Sequence, residues 1–581
     1  MISGTDPIWL YSSSGDSYNR RFCVSKRLIV MDLLTAKLKK LEKQNYRAYQ
    51  QIKGQYNFGD FDLFIDYVQS DPFASASRFR AFRAWSLTGL SWLRDESPAY
   101  QLAARDFIAR SFAEFAKQES SVSIALHGQT VLDSTAVLFT EDGIELRFRV
   151  NLPAEGRDIL AKKALNILTF HLPKFIRRAT IERELDKEAL IKHCQTVEDQ
   201  ESLREQLASH GLVAFVANGS RLPRVAGNCD LPMKEAVEFQ APASLQVTLH
   251  APNRGFVSGL GIPKGITLIV GGGFHGKSTL LSAIERSIYN HIPGDGREYS
   301  VTDINAMKIR AEDGRCVHHL NLSNYINHLP MGKETADFTT QDASGSTSQA
   351  AWLQESVESG VSTLLIDEDT SATNFMIRDE RMQALVAKGD EPITPLVDRI
   401  GQLRDELDIS TIIVMGGSGD YLDVADTVIQ MHDYQAVDVT EKAKQVIALH
   451  PTQRHNESES PLVTFPPRAL NCQALMNILT DGKFRVSAKG KESLRFGKEF
   501  ADISALEQLE SSDEVNAIGW VWYQLAQMPG WCNNPAKAVT ELLQGAWFEK
   551  MPQHGDLAKP RPLDVMAALN RMRKSQFRNN N

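Results

Sequence analysis

The run Gly271-Gly272-Gly273-Phe274-His275-Gly276-Lys277-Ser278 fits G-x-x-x-x-G-K-S, the Walker A pattern for gripping phosphate. Glycines let the backbone turn tightly and aim its amide N–H groups at oxyanions. Lys277 has the charge and reach for the β- and γ-phosphates of a nucleotide, and the Ser278 hydroxyl suits Mg²⁺. The helix opening at Thr279 adds its positive end to the anion site. The apolar run Ile266–Val270 just before reads as a buried strand. His275 sits at a free position of the pattern and is assigned to the shape of the loop. A second cluster lies in VSTLLIDED, 361–369. Leu364, Leu365 and Ile366 form a buried strand that ends in Asp367 and Glu368, as a Walker B strand does. Asp367 is the residue to orient Mg²⁺, directly or through water. Glu368 is placed to polarise an attacking water.

These residues need a sheet to hold them, and the chain is long enough to supply more than one domain. It has 581 residues, 42% apolar and 23% charged, which is ordinary globular usage. A formal net charge of -8 gives no global positive field for coating polyanions. Cys23, Cys194, Cys229, Cys316, Cys472 and Cys532 are scattered and form no C-x2-C pair, so neither a zinc site nor a disulfide framework is indicated. Such thiols fit a reducing, cytoplasmic setting. The start, MISGTDPIWLY, does not read as a signal peptide. No stretch approaches 18 continuous apolar residues, so no integral membrane segment is expected.

Three regions follow. Residues 1–245 read as α+β. They contain a helix over 30–53 with Lys37, Lys39, Lys40, Lys43, Arg47 and Lys53 on its basic face, and an aromatic strand at YNFGDFDLFIDYV. Arg78, Arg80 and Arg83 follow, interleaved with Phe79 and Phe82. Short strands are expected at 121–126, 136–140 and 143–150, then mostly helix over 155–210 with Lys174, Arg177 and Arg178. Residues 246–455 carry the phosphate and acidic motifs and read as an α/β sheet with helices on both faces. The polar tract HNESESP marks the exit. Residues 456–581 read as a smaller α+β domain packed on that core. It includes a basic stretch (Lys483, Arg485, Lys489, Lys491, Arg495) and an amphipathic C-terminal helix, PLDVMAALNRMRKSQFR.

Between the two motifs, Ser344-Gly345-Ser346-Thr347-Ser348-Gln349 stands 23 positions before Asp367. Alone it reads as a flexible linker. Next to DEDTSAT it resembles the signature loop and D-loop of ABC enzymes. The strings GGGFHGKSTLL, KIRAEDGR, ASGSTSQAA, LLIDEDTSATNFMIRD, EPITP and GGSGDYLDVADTV together resemble the family of predicted ATPases of the ABC class. These are single polypeptides without transmembrane segments. YRAYQQIKGQY, QSDPFA, FRVNLPAEGR and LVAFVANGSRLPR extend the resemblance into the N-terminal part.

The resemblance implies a P-loop core of ABC type and Mg²⁺-dependent ATP hydrolysis. It also implies a head-to-tail homodimer, in which Ser344, Gly345, Ser346 and Gln349 of one protomer face the nucleotide of the other. ATP contacts are expected from Gly271 to Thr279. The chain departs from transporter ATPases where a histidine normally follows the next strand. Here stands Gly416-Gly417-Ser418-Gly419, so Ser418 or Asp420 would contact the γ-phosphate region, unless the run is only a tight turn. The charged segment 308–315, KIRAEDGR, is either a coupling element or a solvated loop. Three kinds of load remain open: RNA or another single-stranded nucleic acid, a protein partner, or, least favoured, a separate membrane subunit.

Overall fold

The computed structural model describes residues 29–580, apart from Asn228, Pro330, Met331, Lys333, Glu459, Lys483, Pro552 and Gln553. The sequence readings at Met1–Tyr11, Cys23 and Lys483 lie outside the described residues.

The N-terminal region is an antiparallel sheet backed by helices. Its strands run in the order Gly54–Asn57, Asp62–Tyr67, Ser77–Ala84, Gly143–Val150 and Val122–Ser123, with Val137–Phe139 also on Gly143–Val150. SRFRAFRA alternates strictly between buried and half-buried positions, the period of a strand with one face on a core. Phe79 stacks on Phe148 at 6.0 Å, and Phe112 lies 5.1 Å from Phe148. Phe112 belongs to the helix Pro98–Ala116, which Ser97 caps by accepting from Tyr100 N. Each buried phenylalanine of this kind contributes about 1.5–3 kcal/mol.

Two local readings change. The single helix expected over 30–53 is a helix at Ile29–Lys39 and a tight 3₁₀ segment at Tyr46–Ile52. Lys43 takes a left-handed φ of 59° between them, and Asn45 restarts the coil by accepting from Arg47 N. The expected aromatic strand is a hairpin, Gly54–Asn57 with Asp62–Tyr67, turned at Gly59 (φ 88°).

The central region is a six-stranded sheet. Its strands are β1 (Ile266–Val270), β2 (Ala306–Ile309), β3 (Thr363–Asp367), β4 (Ser410–Val414), β5 (Thr427–His432) and β6 (Gln435–Asp438), in the spatial order β2-β3-β4-β1-β5-β6. All neighbours are parallel except β5–β6. Its helices are α1 (Lys277–Arg286), α2 (Gly345–Glu358) and α3 (Leu396–Leu407). Successive strand residues face opposite cores, as the pleat requires. Leu364, Ile366 and Ile413 point into one core with Trp352 and Leu353 of α2 and Ile400 and Leu403 of α3. Leu365, Ile412 and Val414 point into the other, with Leu280, Leu281 and Ile284 of α1. That second core is closed by an antiparallel sheet ordered Gln246–Ala251, Gly255–Pro263, Leu212–Ala217, Ser300–Thr302. This sheet draws strands from both sides of residue 245.

The C-terminal region holds a meander, Val486–Lys489, Ser493–Phe496 and Glu499–Asp502, and the helix Ser512–Ala526, whose start Ser511 and Glu514 close as a capping box. One continuous hydrophobic cluster joins this region to the first core of the central sheet, from Ile266 to Phe577. The expected amphipathic helix at the C-terminus ends at Leu569. Leu563–Leu569 are all buried, so it packs as a core helix.

Arg468 fastens the two regions. It is fully buried, donates to His318 O at 2.6 Å and Asn570 Oδ1 at 3.0 Å, and pairs with Glu358 Oε2 at 2.9 Å. Burial still holds the Glu358 carboxyl above its ordinary range, against the pull of Arg468. Breaking such a pair costs about 3–5 kcal/mol by stranding the other charge. Arg468→Ala should therefore lower the unfolding midpoint by that order at pH 8. The deficit should shrink toward pH 5, because a protonated Glu358 needs no cation. Denaturation at both pH values checks the sign.

Candidate functional site

The C-terminal ends of β1, β3 and β4 form one edge, and the predicted residues gather there. β1 leads into the loop 271–276, and α1 begins at Lys277. Gly271 (φ 142°) and Gly276 (φ 96°) need glycine twice over. A Cβ on Gly271 would come 2.5 Å from Met431 O, and one on Gly276 would come 2.8 Å from the Tyr434 ring. Gly272, Gly273, Phe274 and Ser278 are exposed, and Thr279 is half-buried. Phe274 takes a left-handed φ of 65° with its ring fully in solvent. Lys277 Nζ donates to the carbonyls of Gly271 (2.7 Å) and Gly272 (2.9 Å).

Asp367 ends β3 and Glu368 follows it, with β4 between them and the loop: Val414 of β4 pairs with Ile269 on one side and Asp367 on the other. Asp367 is buried and accepts only from Asp369 N at 3.2 Å. Burial raises its carboxyl above the ordinary range. Glu368 Oε2 accepts from the amides of Gly416 (2.5 Å) and Gly417 (2.9 Å). A Cβ on Gly417 would stand 2.9 Å from Glu368 Oε1, and one on Gly416 would stand 3.9 Å from Lys277 Nζ. The glycine pair thus lies against both charges. Ser418 instead turns to Asp420, 3.5 Å away. Sequence reasoning looked for a side chain here and missed the amides. The signal was two glycines directly after a buried strand.

The serine–glycine run starts α2, with an exposed Ser344 at its N-cap. Ser346 is buried, and Gly345 lies 3.2 Å from Asp313 by its notional Cβ. Gln349 corrects the expectation of nucleotide contact. It is fully buried, donates to Ser371 Oγ at 3.0 Å and accepts from Ala372 N at 2.8 Å. It ties α2 to the segment after Glu368 and cannot reach a ligand in another protomer.

Segment 308–315 is no solvated loop. Lys308 pairs with Glu285 of α1 (3.0 Å) and with Glu507 (2.5 Å), which also pairs with Arg310. Ala311 N donates to Thr370 O at 2.9 Å, and Glu312 N donates to Ser348 Oγ at 2.8 Å. Glu312 also takes Arg571, and the buried Arg315 grips Glu355 of α2 at 2.6 Å. One strand and its loop therefore touch the phosphate-loop helix, the acidic segment, the serine–glycine helix and the C-terminal region.

The basic clusters picked out in the sequence are largely spent inside the protein. Arg80 pairs with Asp66 and Glu145, while Arg83 and Arg177 share Asp60. Phe79 is buried. Arg571 is buried over the Trp352 ring at 4.1 Å, and Arg573 donates to Gln341 O and Gly314 O. Lys39, Lys40, Lys43, Arg47 and Lys53 stay exposed, with no ion pair among the described residues.

A parallel sheet that feeds a glycine-rich loop at one strand end and a carboxylate pair two strands away is a P-loop nucleotide-binding domain. Family models cover most of the described chain. The N-terminal model of ATPases of the ABC class matches residues 31–183, the P-loop domain of ABC ATPases matches 186–468, and the MRB1590 C-terminal domain matches 485–578. The chain belongs to the ATPases of the ABC class. It is 31% identical over 289 residues to the uncharacterized protein MJ1628 of Methanocaldococcus jannaschii, a match taking in 47% of this chain and 61% of that protein. This chain thus spans less than two thirds of that relative's length. Two solved ATP-binding cassettes align at 14% identity. MJ1267, from an ABC transporter, in its ADP conformation, covers 41% of this chain and 95% of its own (TM-score 0.24). The cbiO1 subunit from Clostridium perfringens, part of the transporter complex cbiONQ, covers 42% and 96% (TM-score 0.26). Among the described residues no helix is long and apolar enough to cross a membrane.

Asp367 also tests whether the residues fit a cation. It is a buried carboxylate at the strand end beside the phosphate loop, with no ion pair among the described residues, which suits Mg²⁺. An acid with a raised native pKa destabilises the fold as it ionises with rising pH. Asp367→Asn should therefore melt no lower than the native chain at pH 8 without nucleotide. It should lose the Mg²⁺-dependent part of nucleotide stabilisation, about 2.7 kcal/mol at a hundredfold excess over Kd. Thermal shifts with and without Mg²⁺ check both.

Proposed function

We propose that the chain binds ATP and Mg²⁺, hydrolyses ATP to ADP and phosphate, and uses the cycle to close and open a head-to-tail homodimer. The observation that carries this reading is Glu368, held by two glycine amides next to Lys277. The amides of 271–276 would cradle the phosphates, with Lys277 leaving its two carbonyl partners for the β- and γ-phosphates. Ser278 and Asp367 would hold Mg²⁺, which when bound neutralises charge on the phosphate oxygens. Glu368 would accept a hydrogen bond from water and aim its oxygen at the γ-phosphorus. The new P–O bond forms as the bond to the β-phosphate oxygen breaks, the water's proton passes to Glu368 and on to the released phosphate, and ADP and phosphate leave.

Ser344 and the N-terminus of α2 would complete the site from the opposing protomer. Ser344, at the N-cap, is exposed in the single chain. With one phosphate loop and one serine–glycine run per chain, a two-fold dimer builds two composite sites. Ser418 would act on the γ-phosphate region only through the turn it shares with Asp420.

Glu368→Gln should reduce hydrolysis about 10²–10⁴-fold while leaving dimers that persist in ATP. Normal turnover in this variant would overturn the role of Glu368. Gly417→Ala should also slow turnover, because its methyl group displaces the carboxylate, with nucleotide affinity nearly unchanged.

The exposed Lys39, Lys40, Lys43, Arg47 and Lys53 favour a single-stranded nucleic acid, RNA first, as the load. Turnover should then rise with single-stranded RNA and lose that rise at high salt. Stimulation by a protein partner instead would point to a regulatory or assembly role.

A further inference from the structure

Two imidazoles and a carboxylate meet beside the phosphate loop, and the hydrolytic chemistry uses only the first of their segments. His275 comes from the loop, His432 ends β5, and Asp433 begins the turn into β6. One ligand atom from each lies within 4.8 Å of the others. His275 Nδ1 is 3.1 Å from Asp433 Oδ1, and His432 Nε2 is 3.6 Å from Asp433 Oδ2. The two rings stack, 5.0 Å apart and inclined by 28°.

Zinc binds histidine nitrogen and carboxylate oxygen at about 2.0–2.2 Å in a tetrahedron. Donor atoms on such a tetrahedron stand roughly 3.3–3.6 Å apart, close to the 3.1 and 3.6 Å that separate the two imidazoles from the Asp433 carboxylate. No lysine or arginine pairs with Asp433 among the described residues, so with neutral histidines its charge has no cation.

The turn that presents these groups is fixed to the loop. Asp433 N donates to His275 Nδ1 at 3.0 Å, and Tyr434 N donates to His275 O at 3.1 Å. Asp433 and Tyr434 both take left-handed backbone angles, φ 47° and 64°, and the Tyr434 ring lies over Gly276. Metal binding would take the Nδ1 lone pair from the Asp433 amide and turn that amide to water. Asp433 and His432 side chains are 77% and 68% exposed, which leaves an entry path and an open fourth position.

We propose that His275, His432 and Asp433 form a site for a divalent transition metal of the zinc class, with water as the fourth ligand. Two imidazoles favour such an ion over Mg²⁺, whose ligands are oxygens. The bound ion would cross-link the phosphate loop to the β5–β6 turn.

The test uses the full chain, stripped of metal and free of nucleotide, titrated with Co²⁺ as a spectroscopic stand-in. One equivalent should produce the visible bands of four-coordinate cobalt, without thiolate charge transfer, and Zn²⁺ should displace them. His432→Ala and Asp433→Asn, both at exposed positions, should weaken binding at least about tenfold. Failure to bind one equivalent, cysteine charge-transfer bands, or unchanged affinity in either variant would overturn the proposal.

Discussion

Two opposite charges must stand side by side at the sheet edge without cancelling each other. Lys277 and Glu368 solve this by bonding to backbone rather than to one another. The ammonium group rests on two carbonyls of its own loop, and the carboxylate rests on two amides after β4. A direct ion pair would have to be broken before ligand entry, at an energetic loss to binding. Backbone dipoles hold each charge in place and release it to a phosphate or a water. Much else follows from this arrangement. A side chain at position 417 would crowd the Glu368 carboxylate, β4 must lie between β1 and β3, and the loop must turn where only glycine can.

The edge is also wired inward. β2 and its following loop bond to α1, to Thr370 just past Glu368, to α2 and to the C-terminal region. A shift of Glu368 or of the phosphate loop therefore meets a packed network on every side. Burial makes the inner pairs costly to disturb singly, which links the segment to each of its neighbours.

The sequence made the sheet edge legible because its chemistry is local. Glycine spacing, a lysine, and an apolar run ending in two carboxylates each state their own position. The unbroken apolar run Leu364–Ile366 reads as a buried strand, and it is buried on both faces. The hidden parts were those set by distant partners. Nothing near Gln349 reveals that Ser371 and Ala372 will bury it. Arg80 and Arg83 read as a surface cluster until the hairpin brings Asp66 and Asp60 to them. The break after Lys39 rests on one left-handed residue, Lys43, a conformation that composition does not announce. Amide donors are invisible to any search for side chains, which is why Gly416 and Gly417 were passed over for Ser418.

The hydrophobic cluster that runs from Ile266 to Phe577 sets a timetable for synthesis. A ribosome adds roughly 5–20 residues per second. Phe577 follows Asp438, where the last strand of the sheet ends, by over a hundred positions, so one face of the sheet waits roughly 7–28 s for its cover. The opposite face is lined by elements from 212 to 302 and by β3 to β6, and takes only Ala558 from the C-terminal region. The newborn chain thus spends that interval with one nearly closed side and one apolar side bare.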